Sequence, residues 1–114
     1  SDPAALAELA EAARAHMAAH PENDVHARRV LFYALSVSRP EEAVRVILEG
    51  VKRDPFHVPL QFELAAWLEA RAKDGDEFAL RAFRECMQTW EPYLKKNVRN
   101  QKALWILSRY YKLA

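Results

Sequence analysis

Glycine is nearly absent, with two residues in a chain of 114. Phosphate-cradling loops and dinucleotide-binding turns need clustered glycines, and hairpin-rich β folds need them at their turns, so neither class fits. A single cysteine, Cys86, excludes an internal disulfide framework and a zinc ribbon. Neither sign of charge dominates: 17 Lys and Arg against 16 Asp and Glu leave +1, which argues against a strongly basic nucleic-acid binder. No run of about 18 consecutive apolar residues occurs, so no segment reads as membrane-spanning. The Ala-rich opening, Ala4 to Ala19, is interrupted by Glu8, Glu11, Arg14 and His16 and has no basic leader, so it does not read as a signal peptide. The chain opens on Ser1-Asp2 without an initiator Met and reads as one domain, residues 1–114, cut from something longer. What is plentiful is apolar side chain: 51% of the residues, enough for a core and too many for a disordered chain.

The punctuation is regular. Pro3, Pro21, Pro40, Pro55, Pro59, Asp74-Gly75 and Pro92 divide the chain into helix-sized pieces. Asp2-Pro3 starts a first helix to about Ala19, with Leu6, Leu9, Ala10, Ala13 and Met17 at helical spacing. A second runs from about Asp24 to Val37. Ser38-Arg39-Pro40-Glu41 reads as a capping box for a third, to about 53, in which Ala43, Val44, Ile47, Leu48 and Val51 share a face. A fourth spans about 59–73 and ends at Gly75. Asp76 caps a fifth, with Phe83, Cys86, Met87 and Trp90 inward. The last segment runs to Leu113. Links of a few residues make neighbouring helices antiparallel hairpins, and no window alternates like a strand.

The hairpins repeat. With Asp24 as the first place of a 34-residue unit, Ala43, Ile47, Gly50 and Pro55 take a small, large, small and proline place in its second helix. Ala27, Val30, Leu31 and Ala34 take the packing places of the first helix. A second unit from Val58 places Gln61, Leu64, Ala65 and Leu68 likewise. With two extra residues at the Ala72–Asp76 turn, Ala79, Phe83 and Cys86 follow, with Pro92 one place late. Leu104, Leu107, Ser108 and Tyr111 open another first helix. Residues up to Asn23 look like the second helix of a preceding unit. Small residues at the second-helix places let two backbones approach, and the large ones fill the space beside them. The chain therefore resembles the tetratricopeptide repeat family, with units at about 24–57 and 58–93 and a partial unit at each end. The resemblance implies an all-α fold of antiparallel hairpins, about six helices stacked as a short right-handed array.

Little in the chain points to catalysis. His16 and His20 share a helical face at metal-ligand spacing, but two imidazoles do not complete a site, and neither a metal nor a cofactor is expected. Cys86 reads as a buried, inert thiol. Glu41-Glu42 and Asp76-Glu77 fall at helix starts, where they complement the helix dipole. The chain is expected not to be an enzyme.

The resemblance implies a concave groove lined by the first helices. Arg28, Phe32 and Leu35 of the first unit and Phe62 of the second fall on its places, with Arg29 beside them. The expected function is protein–protein interaction: a scaffold taking an apolar peptide with an acidic feature. Some members of the family clamp a partner's terminal carboxylate, but Glu63 stands where that clamp wants Asn. Charge is also blocky. Residues 1–27 carry five acids and one Arg, whereas 94–114 carry six bases and no acid. A basic C-terminal helix, 94–114, with Lys95, Lys96, Arg99 and Lys102 on its face, is the alternative surface, for nucleic acid or an anionic surface. A further alternative is a structural segment packed against its own parent chain. The expected state is a monomer. Ala- and Arg-rich composition suggests a bacterial source, and a cytoplasmic or periplasmic setting would suit it.

Overall fold

The computed structural model describes residues 2–54 and 57–113. The fold is all-α. Six helices, α1 (Pro3–Ala19), α2 (Val25–Leu35), α3 (Pro40–Arg53), α4 (Val58–Lys73), α5 (Glu77–Lys96) and α6 (Gln101–Leu113), account for it, and no strand occurs among the described residues. Among them no helix is long and apolar enough to cross a membrane. The helices form two compact units, Ser1–Arg53 and Asp54–Ala114.

In the first unit α2 packs against both α1 and α3. Pro3 occupies the first turn of α1, where its missing N–H is no loss, and the Asp2 carboxylate accepts from the Ala4 N–H at 3.0 Å. Ala10 and Ala13 are buried and Leu6 and Met17 half-buried, which is the stripe that meets α2. Leu9, expected on the same apolar face, is exposed. Asp24 holds the N-cap place of α2 without capping it. Its buried carboxylate instead accepts from Arg28 Nε at 3.1 Å and from Arg53 Nη2. Arg28 Nη1 donates to the Val46 carbonyl at 2.8 Å and to Glu49 at 3.0 Å, so one network ties the start of α2 to the far half of α3.

The capping box expected at Ser38 is displaced. Pro40 takes the first helical place of α3, so Arg39 is the cap residue, and its carbonyl accepts from the Ala43 N–H at 3.0 Å. Ala43, Val44, Ile47, Gly50 and Val51 are buried. Pro55, the proline expected to close this unit, lies outside the described residues.

In the second unit each of α4, α5 and α6 packs against the other two. His57 Nδ1 accepts from the Leu60 N–H at 3.2 Å and caps α4, which buries Leu60, Gln61, Leu64, Ala65 and Leu68 completely. The helix ends as the sequence predicts. Gly75 is left-handed (φ 84°), with its N–H on the Ala72 carbonyl and the Asp76 N–H on that of Arg71. Asp76 then caps α5, accepting from the Ala79 N–H at 3.1 Å.

Pro92 does not end α5, contrary to expectation; the helix runs through it to Lys96. The residues that lose by this, Pro92 and Gln88, face solvent, where water can serve the carbonyl the proline ring leaves without a donor. Trp90 and Leu94, each 1% exposed, hold the segment helical by burial on its other face. The expected basic helix over 94–114 is accordingly three elements: the end of α5, a turn at 97–100, and α6, capped by the Asn100 side chain on the Lys102 and Ala103 N–H groups at 2.9 and 3.3 Å.

The second hairpin is also longer than a two-residue insertion allows. α4 has 16 residues where α2 has 11, and α5 has 20 where α3 has 14. Ala79, Phe83 and Cys86, the places assigned to its second helix, are all buried.

Candidate functional site

Arg28, Arg29, Phe32 and Leu35 all lie on α2. Phe32 (7% exposed) and Leu35 (6%) are buried, and Arg28 (8%) spends its guanidinium on Asp24, Glu49 and the Val46 carbonyl. Arg29 is half-buried. Counting from the first helical residue explains why. From Val25 of α2, Val58 of α4 and Gln101 of α6, the fifth residues are Arg29, Phe62 and Trp105, and the ninth are Tyr33, Ala66 and Arg109. In α2 this count runs one residue later than a count from Asp24, and it turns Tyr33, 63% exposed, outward in place of Phe32.

In the second unit those places form a continuous strip across α4 and α6. The Phe62 ring and the Trp105 indole lie 5.0 Å apart, tilted by 60°, and both side chains are half-buried. Lys102 Nζ stands 5.3 Å from the centre of the Phe62 ring, and the Arg109 guanidinium 4.9 Å from that of Trp105. Both cations thus sit against aromatic rings. Glu69 closes the strip: its buried carboxylate is 2.9 Å from Lys73 Nζ and 4.0 Å from Arg109 Nε. The strip offers a flat apolar surface with a cation towards each end of α6 and one carboxylate already balanced from within.

The remaining basic candidates are dispersed. Lys95 pairs with Glu91 at 3.3 Å on α5, Lys96 ends that helix, and Arg99 lies in the turn; all three are exposed. Of that set only Lys102 belongs to the strip. Trp105 and Arg109 were missing from the expected site, although the repeat count applied to the last helix places both.

Elsewhere the chemistry is sparse. The His16 and His20 rings lie 4.7 Å apart and exposed, and no group of three metal-ligating side chains occurs among the described residues. Cys86 is buried in α5. The first unit has an open cleft of about 610 Å³ whose walls include Leu6, Ala10, Leu35 and Val37. The two arginines at its edge, Arg14 and Arg39, both bond Glu42, at 2.8 and 3.4 Å. The chain matches no protein-family model, no curated protein and no solved structure.

Proposed function

We propose that this is a divergent tetratricopeptide-like module that acts without catalysis, binding a peptide or partner protein on the α4–α6 strip. The observation that carries the reading is the Phe62–Trp105 pair flanked by Lys102 and Arg109. Half-buried aromatics give contact area at low entropic cost, and the adjacent cations select a partner that brings an acid beside its apolar side chain. Because Lys102 and Arg109 stand about two helical turns apart on α6, such a partner would carry carboxylates on either side of an aromatic or aliphatic anchor.

The test is calorimetric titration with short peptides holding one aromatic or aliphatic anchor flanked by acids, by amides or by lysines. Binding of the acidic set alone, lost with Lys102→Ala and Arg109→Ala, supports the reading. Indifference to peptide charge overturns it. A steep log–log fall of affinity with salt, together with binding to single-stranded oligonucleotides, would replace it with the nucleic-acid alternative.

A further inference from the structure

Glu69 puts a buried acid at the edge of a strip that the geometry otherwise suits to acids. Its carboxylate takes Lys73 Nζ at 2.9 Å, one turn on along α4, and lies 4.0 Å from Arg109 Nε on α6. The second distance is that of an ion pair, too long for a hydrogen bond. Arg109 Nε is buried and has no hydrogen-bond acceptor among the described residues. The side chain as a whole is 28% exposed, and of its nitrogens Nε alone is buried without an acceptor, so the open part of the guanidinium is its Nη edge. The Trp105 indole supports the same group at 4.9 Å. Lys102 is placed differently: it is exposed, it rests only against the Phe62 ring at 5.3 Å, and it has no carboxylate partner among the described residues.

Charge alone makes Glu69 a liability, since a fixed carboxylate repels an incoming one. Two features answer this. Lys73, in direct contact, offsets the Glu69 charge on the side away from Arg109. Glu69 also faces Arg109 from behind, at Nε, and not at the edge a partner would meet. A free arginine side chain has many rotamers, and ordering one on binding costs affinity. A guanidinium already held between a carboxylate and an indole has met that cost in the unbound protein. What it then offers is a planar pair of Nη groups, whose N–H bonds match the two oxygens of a carboxylate. An ammonium such as that of Lys102 is a point charge and sets no such geometry.

We infer that Glu69 is a positioning residue: balanced by Lys73, it holds Arg109 from its Nε side against Trp105, so that the Nη edge faces outward as a fork for one carboxylate of the partner. This rests on the reading of the strip as a peptide site and deepens it by separating its two ends. The acid at the Arg109 end is read by shape, through two parallel hydrogen bonds. The acid at the Lys102 end is read by charge. The two roles open to Glu69 differ in sign. If it acts as a like charge, removing it strengthens the binding of an acidic peptide. If it positions Arg109, removing it weakens that binding, and it does so only for a peptide that carries the acid.

The experiment has two readouts on the whole chain, with circular dichroism confirming that each variant stays folded. The first needs no partner. Hydrogen exchange at the Arg109 Nε–H, followed by nuclear magnetic resonance, should be slow in the wild type and faster in Glu69→Gln; equal rates in the two overturn the inference. The second is calorimetric titration with two peptides that share a leucine anchor, one flanking it with glutamates and the other with glutamines. Glu69→Gln should weaken the glutamate peptide about five- to tenfold and leave the glutamine peptide unchanged. Arg109→Lys, which keeps the charge and removes the fork, should lose a similar factor, and adding Glu69→Gln to it should cost nothing more. Tighter binding of the glutamate peptide by Glu69→Gln overturns the inference, because Glu69 then acts as a repelling charge. Equal loss for both peptides overturns it too, because the effect is then one on the fold. A wild type that does not distinguish the two peptides removes the strip reading and the inference with it. A wild type that prefers the glutamate peptide, with that preference intact in Glu69→Gln, leaves the strip reading standing and overturns the inference alone.

Discussion

Phe62 and Trp105 are the fifth residues of their respective helices, and their rings stand 5.0 Å apart. The equivalence of place is what builds the strip, because two helices in the same rotational setting bring equivalent positions together. Phe62→Ala and Trp105→Ala should each weaken partner binding by about 1–3 kcal/mol, read by calorimetry. Half-burial limits the stability cost, so melting temperature should move less than for a core aromatic such as Phe83. Binding at wild-type affinity by both variants would remove the strip from consideration.

The Asp24 carboxylate is the hinge of the first unit's ion network. Removing it leaves the buried Arg28 with only its α3 partners and Arg53 with only the Pro21 carbonyl. Asp24→Ala should cost on the order of 3 kcal/mol, as expected for breaking one side of a buried pair, measured by chemical denaturation. Arg53, half-exposed, should matter less: Arg53→Ala should cost under about half as much.

Acid should loosen the caps and ties before it touches the core. The Ala79 N–H, with Arg71 behind it, holds the Asp76 carboxyl below its usual range, and the Arg14 hydrogen bond, aided by Arg39, does the same for Glu42 against some opposing desolvation. A carboxyl whose folded pKa is depressed contributes stability that is present above its unfolded value, near 4, and lost as pH falls below it. The denaturation midpoint should therefore fall on acidification below about pH 4, and less so in a double Asp76→Asn, Glu42→Gln variant. A variant with the same acid slope as wild type would assign the loss to other carboxylates.

Close approach at Ala43 is the next check. The side chain is fully buried in α3, the helix that packs on α2. Ala43→Leu should cost about 1–3 kcal/mol through overpacking. No cost would mean that the two helices do not meet there.

The helices themselves were legible because their signals are local. Asp2-Pro3, Gly75 and Asp76 each act within a turn of their own position, and all three do in the structure what their chemistry dictates. The errors arose where a distant partner decides. Asp24 stands as the first place of the repeat count, yet it lies outside α2, its carboxylate held by Arg28 and by Arg53, 29 residues on, and the helix starts one residue later. That single residue swaps Phe32 for Tyr33 on the open face. Trp105 and Arg109 fall on the count only when it is extended to the last helix. What sets them against Phe62 and Glu69 is the packing of α6 on α4, which no local pattern encodes.

Pro92 gives the sharpest test of that lesson, because a local rule was overruled by burial. Its ring removes a backbone donor inside α5 and crowds the carbonyl four residues back, a penalty of about 3 kcal/mol against alanine. The side chain is exposed, so it returns little by packing. The part it returns acts on the unfolded chain, whose freedom proline restricts, by about 0.4–1 kcal/mol. Pro92→Ala should therefore stabilise the protein by about 2 kcal/mol, seen as a higher denaturant midpoint at unchanged slope. Pro92→Gly should give about 1 kcal/mol less than alanine, since glycine restores the donor but adds unfolded-state freedom. An alanine variant no more stable than wild type would mean that α5 ends at Pro92 in solution, and Trp90 and Leu94 would then have to be held by something other than one continuous helix.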